Sequence, residues 1–319
     1  MRLNADDMGR LTRRPLQMSG AHGNRRPLQL ILASVLCLLA THLLAGAQQY
    51  PVRGMVISVN RAASTFTASI EEIPGFMRAM TMPFEVRQAK ELDGLAPGAI
   101  VEFTLVVDAK TSYAQGIKIV RFQNVEQDPF AASRLSILKD MVSGTPARLL
   151  GIGESVPNFS LTDQRKRSVS LDALRGSVVA LNFVYTSCAL PNFCLRLANN
   201  FAVLQKRFDK RLGKDLVLLT VTFDPLHDTP EVLAKYSEQW NANPASWHFL
   251  TGSEADVQRV CRMFGVQAFP NEGLMDHSLH TVLIDRLGKL AANIEGNRFT
   301  ASQLGDLTEG LLESEKVRK

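Results

Sequence analysis

The chain has 319 residues, 45% hydrophobic and 21% charged, with 21 Gly and 14 Pro, a composition that suits two ordinary domains and excludes disorder and collagen-like repeats. Aromatics at 7% are too few for a surface that stacks nucleic-acid bases. Of the formal charge of +5, residues 1–27 carry +4, from Arg2, Arg10, Arg13, Arg14, Arg25 and Arg26 against Asp6 and Asp7; the remaining +1 leaves no basic footprint for nucleic acid.

Residues 28–47 (LQLILASVLCLLATHLLAGA) contain no charged side chain and end in Ala45-Gly46-Ala47. An arginine-rich start, an apolar stretch and a small-residue triplet are the parts of a secretory signal. Residues 1–47 are therefore expected to be a signal peptide or an N-terminal membrane anchor, with the rest exported to the periplasm or held at the outer face of the inner membrane. Cys37 lies inside this leader, leaving Cys188, Cys194 and Cys261 of the four cysteines. An odd count of three does not make a disulfide framework. A close pair with one distant thiol implies a working pair, and Cys261, between Val260 and Phe264 in a helical pattern, reads as a buried bystander.

The next 70 residues are rich in short β patterns. Strands are predicted over 52–59, 65–70, 82–86, 100–107 and 117–120, punctuated by turn signals such as Asn60-Arg61-Ala62 and Pro97-Gly98. Five short strands in a stretch of this length have the size of a small closed β-barrel. Asp128-Pro129, Ser143-Gly144 and Thr145-Pro146 mark a linker or docking segment over 122–150. From about residue 151, strand and helix alternate. The runs VVALNFVY (178–185) and LVLLTVTF (216–223) are continuously apolar, as central strands buried on both faces must be. Leu197, Phe201, Leu204 and Phe208 recur at helical spacing between them, and Thr229-Pro230-Glu231 gives a second helix its N-cap, N1 and first-turn acid. A helix near 255–264, a strand over 279–284 and a helix over 300–312 complete the pattern. The fold class is α/β plus all-β: residues 1–47 as leader, 48–125 as barrel, 126–152 as linker and 153–319 as a thioredoxin-like domain.

Two constellations carry chemistry. Cys188-Ala189-Leu190-Pro191-Asn192-Phe193-Cys194 follows a buried strand and precedes a helix, where the helix dipole favours thiolate. Pro191 keeps the segment out of helix, so that it folds back and brings the sulfurs together. Such a pair binds a soft metal, performs thiol–disulfide exchange, or forms a structural disulfide. The second is Met77, Met80 and Met82 in MRAMTM. Two residues apart on an extended chain, Met80 and Met82 point to one face, and three thioethers suit Cu(I) or Ag(I) if they do not simply fill a core. Of the other candidates, His227 reads as solvated beside Asp228, His248 as strand-edge packing, His280 as a surface residue, and Arg165-Lys166-Arg167 as an exposed hairpin tip.

The segment 178–194, Phe223-Asp224-Pro225-Leu226-His227-Asp228-Thr229-Pro230 and Asp276-His277-Ser278 resemble, in that order and spacing, the SCO/SenC family over about 153–312. The resemblance implies a thioredoxin-like fold, copper bound through Cys188, Cys194 and His277, Asp224 as a supporting residue, and a role in assembling the copper centre of cytochrome c oxidase, whose copper-bearing subunit, or another periplasmic copper protein, would be the partner. Five residues separate the cysteines where the family usually has three, and Leu195 stands where a proline often follows. Residues 52–121, with EEIPGFMRAMTMPF at 71–84, resemble the periplasmic CusF-type copper- and silver-binding domain, which implies an OB-like barrel. That resemblance assigns Met80 and Met82 as ligands, puts Met77 at the position of a tryptophan that caps the metal, and puts Ser69 or Ile70 where a histidine ligand stands. The expected function is an exported copper metallochaperone whose barrel passes copper to the cysteine site across the linker. The alternatives are a thiol–disulfide oxidoreductase acting on a partner's cysteines and a copper-sequestering resistance protein; a peroxidase is disfavoured by FVYTS before Cys188, which lacks the proline of a peroxiredoxin approach.

Overall fold

The structure is a computed structural model describing residues 47–120, 149–188, 192–271 and 274–314. The leader and nearly all of the expected linker lie outside these residues. Strands β1 (Gln48–Asn60), β2 (Thr65–Ile70), β3 (Met80–Glu85), β4 (Ile100–Val107) and β5 (Ser112–Ile119) form one antiparallel sheet in the order β3-β2-β1-β4-β5. Its edge strands meet at a single parallel bridge, Val86 with Ala114, so the barrel is only partly closed. β5 begins five residues before the predicted start because Gln115 and Gly116 hide its alternation in the sequence. Phe66, Phe84 and Phe103 stack and cross at the centre of this unit, with Val52, Val56 and Leu105 around them.

The second sheet runs β14-β13-β8-β9-β10-β6-β7. It contains β6 (Ser160–Asp163), β7 (Ser168–Ser170), β8 (Val178–Val184), β9 (Leu216–Thr222), β10 (Trp247–Thr251), β13 (His280–Ile284) and β14 (Leu290–Glu295). A separate hairpin pairs β11 (Ala268–Asn271) with β12 (Leu274–His277). β8, β9 and β10 are parallel, and every residue of β8 and β9 is buried, as expected for their largely apolar runs. The helices are α1 (Cys194–Arg207), α2 (Pro230–Gln239), α3 (Glu254–Met263) and α4 (Ala301–Ser314). Thr229 caps α2 with its side chain on Val232 N, and Pro230 occupies the first turn, where its missing N–H has no partner to lose. A mixed sheet with a parallel centre and covering helices is the thioredoxin-like layer architecture expected from the sequence.

The barrel rests against the second sheet's domain. Met55 and Ile100 are buried in the same apolar cluster as Ile294, Leu304 and Leu312. Gly98 turns at φ +87°, and a Cβ there would lie 2.8 Å from Ile294 Cγ1, so both the turn and the contact require glycine.

Three expectations are corrected. His280 is buried, at 7% exposure, with Nδ1 2.9 Å from Asn293 Oδ1; β13 lies between β14 and β8 and all five of its residues are buried, so neither of its faces reaches the surface. His248 sits on β10, which has β9 on one side and β6 on the other, and its Nδ1 lies 3.3 Å from the buried Asp163 carboxylate, so it is not at a sheet edge. The first β3 residue is Met80, not Met82, which places both methionines within the strand.

Candidate metal centre

Three elements converge at the carboxyl end of β8. After β8, the chain turns so that Cys188 N donates to Tyr185 O at 3.2 Å. Cys194 opens α1, and His277 ends β12. The Cys188 and Cys194 sulfurs and a ring nitrogen of His277 all lie within 4.8 Å of one another, and none of the three described cysteines is in a disulfide. Cys194 Sγ is 3.8 Å from His277 Nε2. On the other side of the ring, Nδ1 is 3.1 Å from Ser278 O. A carbonyl only accepts, so Nδ1 carries the proton and Nε2 presents its lone pair to the sulfurs, the tautomer a metal ligand needs.

Aromatic rings wall the cluster. Phe223, Tyr185 and Phe193 have centroids 4.6, 5.7 and 6.3 Å from that of His277. Cys194 is fully buried and Cys188 is 5% exposed, while His277 is half-buried. The hydrogen bond to Cys188, followed by burial, pushes the Cys194 thiol far above its ordinary value. That reverses the expected thiolate: Cys194 is the first helical residue, but the helix dipole does not overcome desolvation and a second sulfur competing for one proton. Burial, then the neighbouring Cys188, pushes the Tyr185 phenol up to about 12. Metal-free, Cys194 is held as a thiol. The donor set of two sulfurs and one imidazole suits copper, whose Cu(I) state prefers soft sulfur ligands.

Asp224 does not join this cluster. Its carboxylate takes the exposed His227, 2.9 Å from Nδ1, and the bond to Asp224 raises the His227 pKa. The acid that supports the site is Asp228, which sequence reasoning passed over. It is 1% exposed and accepts from Thr186 N at 3.1 Å, Thr186 Oγ1 at 2.5 Å and Thr222 Oγ1 at 2.5 Å. It thereby ties the turn that carries Cys188 to the end of β9. Its signal in the sequence was the Asp-Thr-Pro helix start, where an acid just before an N-cap looks like an ordinary dipole partner.

Met77 and Met82 are partly buried against the barrel core, whereas Met80 is 50% exposed. Register pairs Ile70 with Met80 and Ala68 with Met82, so both methionines share the face of the buried Ile70 and Ala68. Met77 bridges back to Ile73. Ser69 belongs to the opposite face and donates to Asp306 Oδ2 at 2.6 Å.

Residues 151–311 match the SCO1/SenC family, and residues 49–118 match the copper binding periplasmic protein CusF. A SCO2-like protein of Rickettsia typhi is 29% identical over 167 residues, 50% of this chain and 73% of that protein. A SCO2-like protein of Rickettsia prowazekii is 32% identical over 139 residues, 41% of this chain and 64% of its own length. The SCO1 protein homolog of Bacillus subtilis is 29% identical over 104 residues, 32% of this chain and 52% of that protein. Among solved structures, yeast Sco1 with copper bound aligns at 22% identity with a TM-score of 0.44, covering 54% of this chain and 96% of that one.

Proposed function

Because the chain belongs to the SCO1/SenC family, we propose that it is an exported copper carrier that holds its cargo on Cys188, Cys194 and His277 and serves the assembly of a copper centre, that of cytochrome c oxidase. The observation that carries this reading is the meeting of two sulfurs and one imidazole nitrogen within 4.8 Å at the end of a buried strand. Bound there, copper would be screened by the aromatic wall, and the partly exposed His277 side would be its route in and out. A partner must take the cargo by ligand exchange, which a three-donor site with one half-buried member permits. The CusF-type unit, 48–125, supplies a second soft site at Met77, Met80 and Met82, joined by 126–152 to the carrier domain at 153–319. Match of the barrel to a periplasmic copper-binding family supports export, as does the leader at 1–47. Among the described residues no helix is long and apolar enough to cross a membrane; the leader lies outside them.

A thiol–disulfide reductase acting on a partner's cysteines uses the same pair. It needs an exposed, low-pKa attacking thiol, whereas Cys194 is buried with a raised pKa and Cys188 is 5% exposed, so the carrier reading is favoured. Copper stoichiometry of the reduced full chain tests it. Cys188→Ser is expected to lose one equivalent of Cu(I), and His277→Ala to weaken Cu(II) more than Cu(I). Unchanged binding of both ions in Cys188→Ser refutes the site.

A further inference from the structure

One acid on α4 fastens the barrel to the carrier domain. Asp306 Oδ2 accepts from Ser69 Oγ on β2 at 2.6 Å and from Thr81 Oγ1 on β3 at 2.8 Å, and its Oδ1 pairs with Arg207 at 2.7 Å from the end of α1. One turn earlier on α4, the buried Gln303 donates from Nε2 to Ser69 O at 3.2 Å. Below these bonds the contact is apolar: Met55 is fully buried, and a Cβ on Gly310 would lie 3.0 Å from Ile57 Cγ2. Hydrogen bonds to a carboxylate that is itself paired, above a buried apolar contact, make a fixed seat rather than a passing touch.

The seat also sets direction. Ser69 and Thr81 are register partners on β2 and β3, and both reach toward α4. Side chains alternate along a strand, so the adjacent pairs, Ala68 with Met82 and Ile70 with Met80, face the other way. Ser69, at or next to the position where the CusF resemblance would place a histidine, is thus engaged in the seat, and the half-exposed Met80 is turned off it. We propose that α4, through Asp306, locks the barrel with its methionine row directed away from the Cys188–Cys194–His277 centre, so that metal at the methionines is exchanged with a separate molecule bearing soft sulfur ligands and not handed to the cysteines of the same chain. The proposal rests on the copper reading above. Such an exchange leaves the metal Cu(I) throughout: thioether bonds break as the acceptor's thiolates bind, and the acceptor's thiol protons pass to solvent.

The test uses the full chain carrying one equivalent of Cu(II), whose paramagnetism broadens nearby nuclei, with methionine methyl groups labelled by carbon-13. An electron paramagnetic signal that is lost in Cys188→Ser shows the ion is at the cysteine centre; its absence from the native chain would be a failure of the copper reading. With the ion in place, the Met80 and Met82 methyl signals are expected to stay sharp, and barrel and carrier domain to share one rotational correlation time. Broadening of either methyl would show that the row reaches the cysteine centre and would overturn the proposal. Asp306→Ala, and separately the paired change Ser69→Ala with Thr81→Ala, which leaves α4 untouched, are each expected to give the barrel its own, shorter correlation time. Native correlation times in both would remove Asp306 as the lock.

Discussion

Replacing Asp228 probes how the fold holds the cysteine turn. Asp228→Ala removes the acceptor of three donors, Thr186 N, Thr186 Oγ1 and Thr222 Oγ1, at a residue 1% exposed. Each buried donor left unpaired costs about 1–3 kcal/mol; hydroxyl rotation and the end of carboxylate burial offset part, leaving a net loss of about 3–4 kcal/mol. At about 2–4 °C per kcal/mol for a domain of this size, Tm falls by about 6–16 °C. Asp228→Asn keeps one oxygen for Thr186 N and Thr222 Oγ1 and turns its amide to Thr186 Oγ1, which rotates to accept, so its cost stays under about 1.5 kcal/mol. Burial raises the Asp228 pKa above the ordinary 3.8, so folding favours the protonated acid. Its stabilising contribution is full below that ordinary value and is lost as pH rises through the folded pKa. The native chain therefore loses ground to Asp228→Asn as pH rises from about 4 to 7. Thermal unfolding of both variants across that range, with alkylation of Cys188 as a reporter of the turn, measures this. Native Tm and native Cys188 reactivity in Asp228→Ala, or an Asn variant that falls further behind as pH rises, would refute the reasoning.

The raised Cys194 pKa makes that thiol slow toward iodoacetamide at neutral pH in the metal-free chain, and Cys188→Ser, which removes the leading cause of the shift, is expected to speed its alkylation in a pH-resolved mass-spectrometric assay; an unchanged rate contradicts the coupling. Met80→Leu with Met82→Leu is expected to weaken Ag(I) binding to the full chain at least tenfold, read by competition, and to leave Zn(II) binding unchanged, since thioethers are neutral and soft. Because none of these thioethers titrates, that loss is expected to be the same between about pH 5 and 8.

The limits of the sequence follow from distance along the chain. The runs of β8 and β9 declared themselves because burial on both faces demands mostly apolar residues, with only Asn182, Thr220 and Thr222 polar, and Thr229-Pro230 marked α2 because capping is local. Cys188, Cys194 and His277 stood out by residue type and order. Asp228 did not, because its role depends on Thr186 and Thr222 being brought side by side by the pairing of β8 with β9. The thiolate expected at the start of α1 failed for a similar reason: the dipole is written in the helix, but the burial and the second sulfur that outweigh it are tertiary. The bond from Ser69 to Asp306 spans 237 positions, and nothing in either neighbourhood signals the other. His280 was misplaced because β13 is an interior strand, between β14 and β8, with all five of its residues buried, so alternation alone does not bring a side chain to the surface.

The most direct test of the central claim is X-ray absorption of the full chain loaded with one equivalent of Cu(I). The expected spectrum has two sulfur scatterers and one imidazole nitrogen, reduced to one sulfur in each of Cys188→Ser and Cys194→Ser and without the imidazole in His277→Ala. A native spectrum in all three variants, or a first shell of thioether sulfur alone, would place the copper elsewhere and contradict the account.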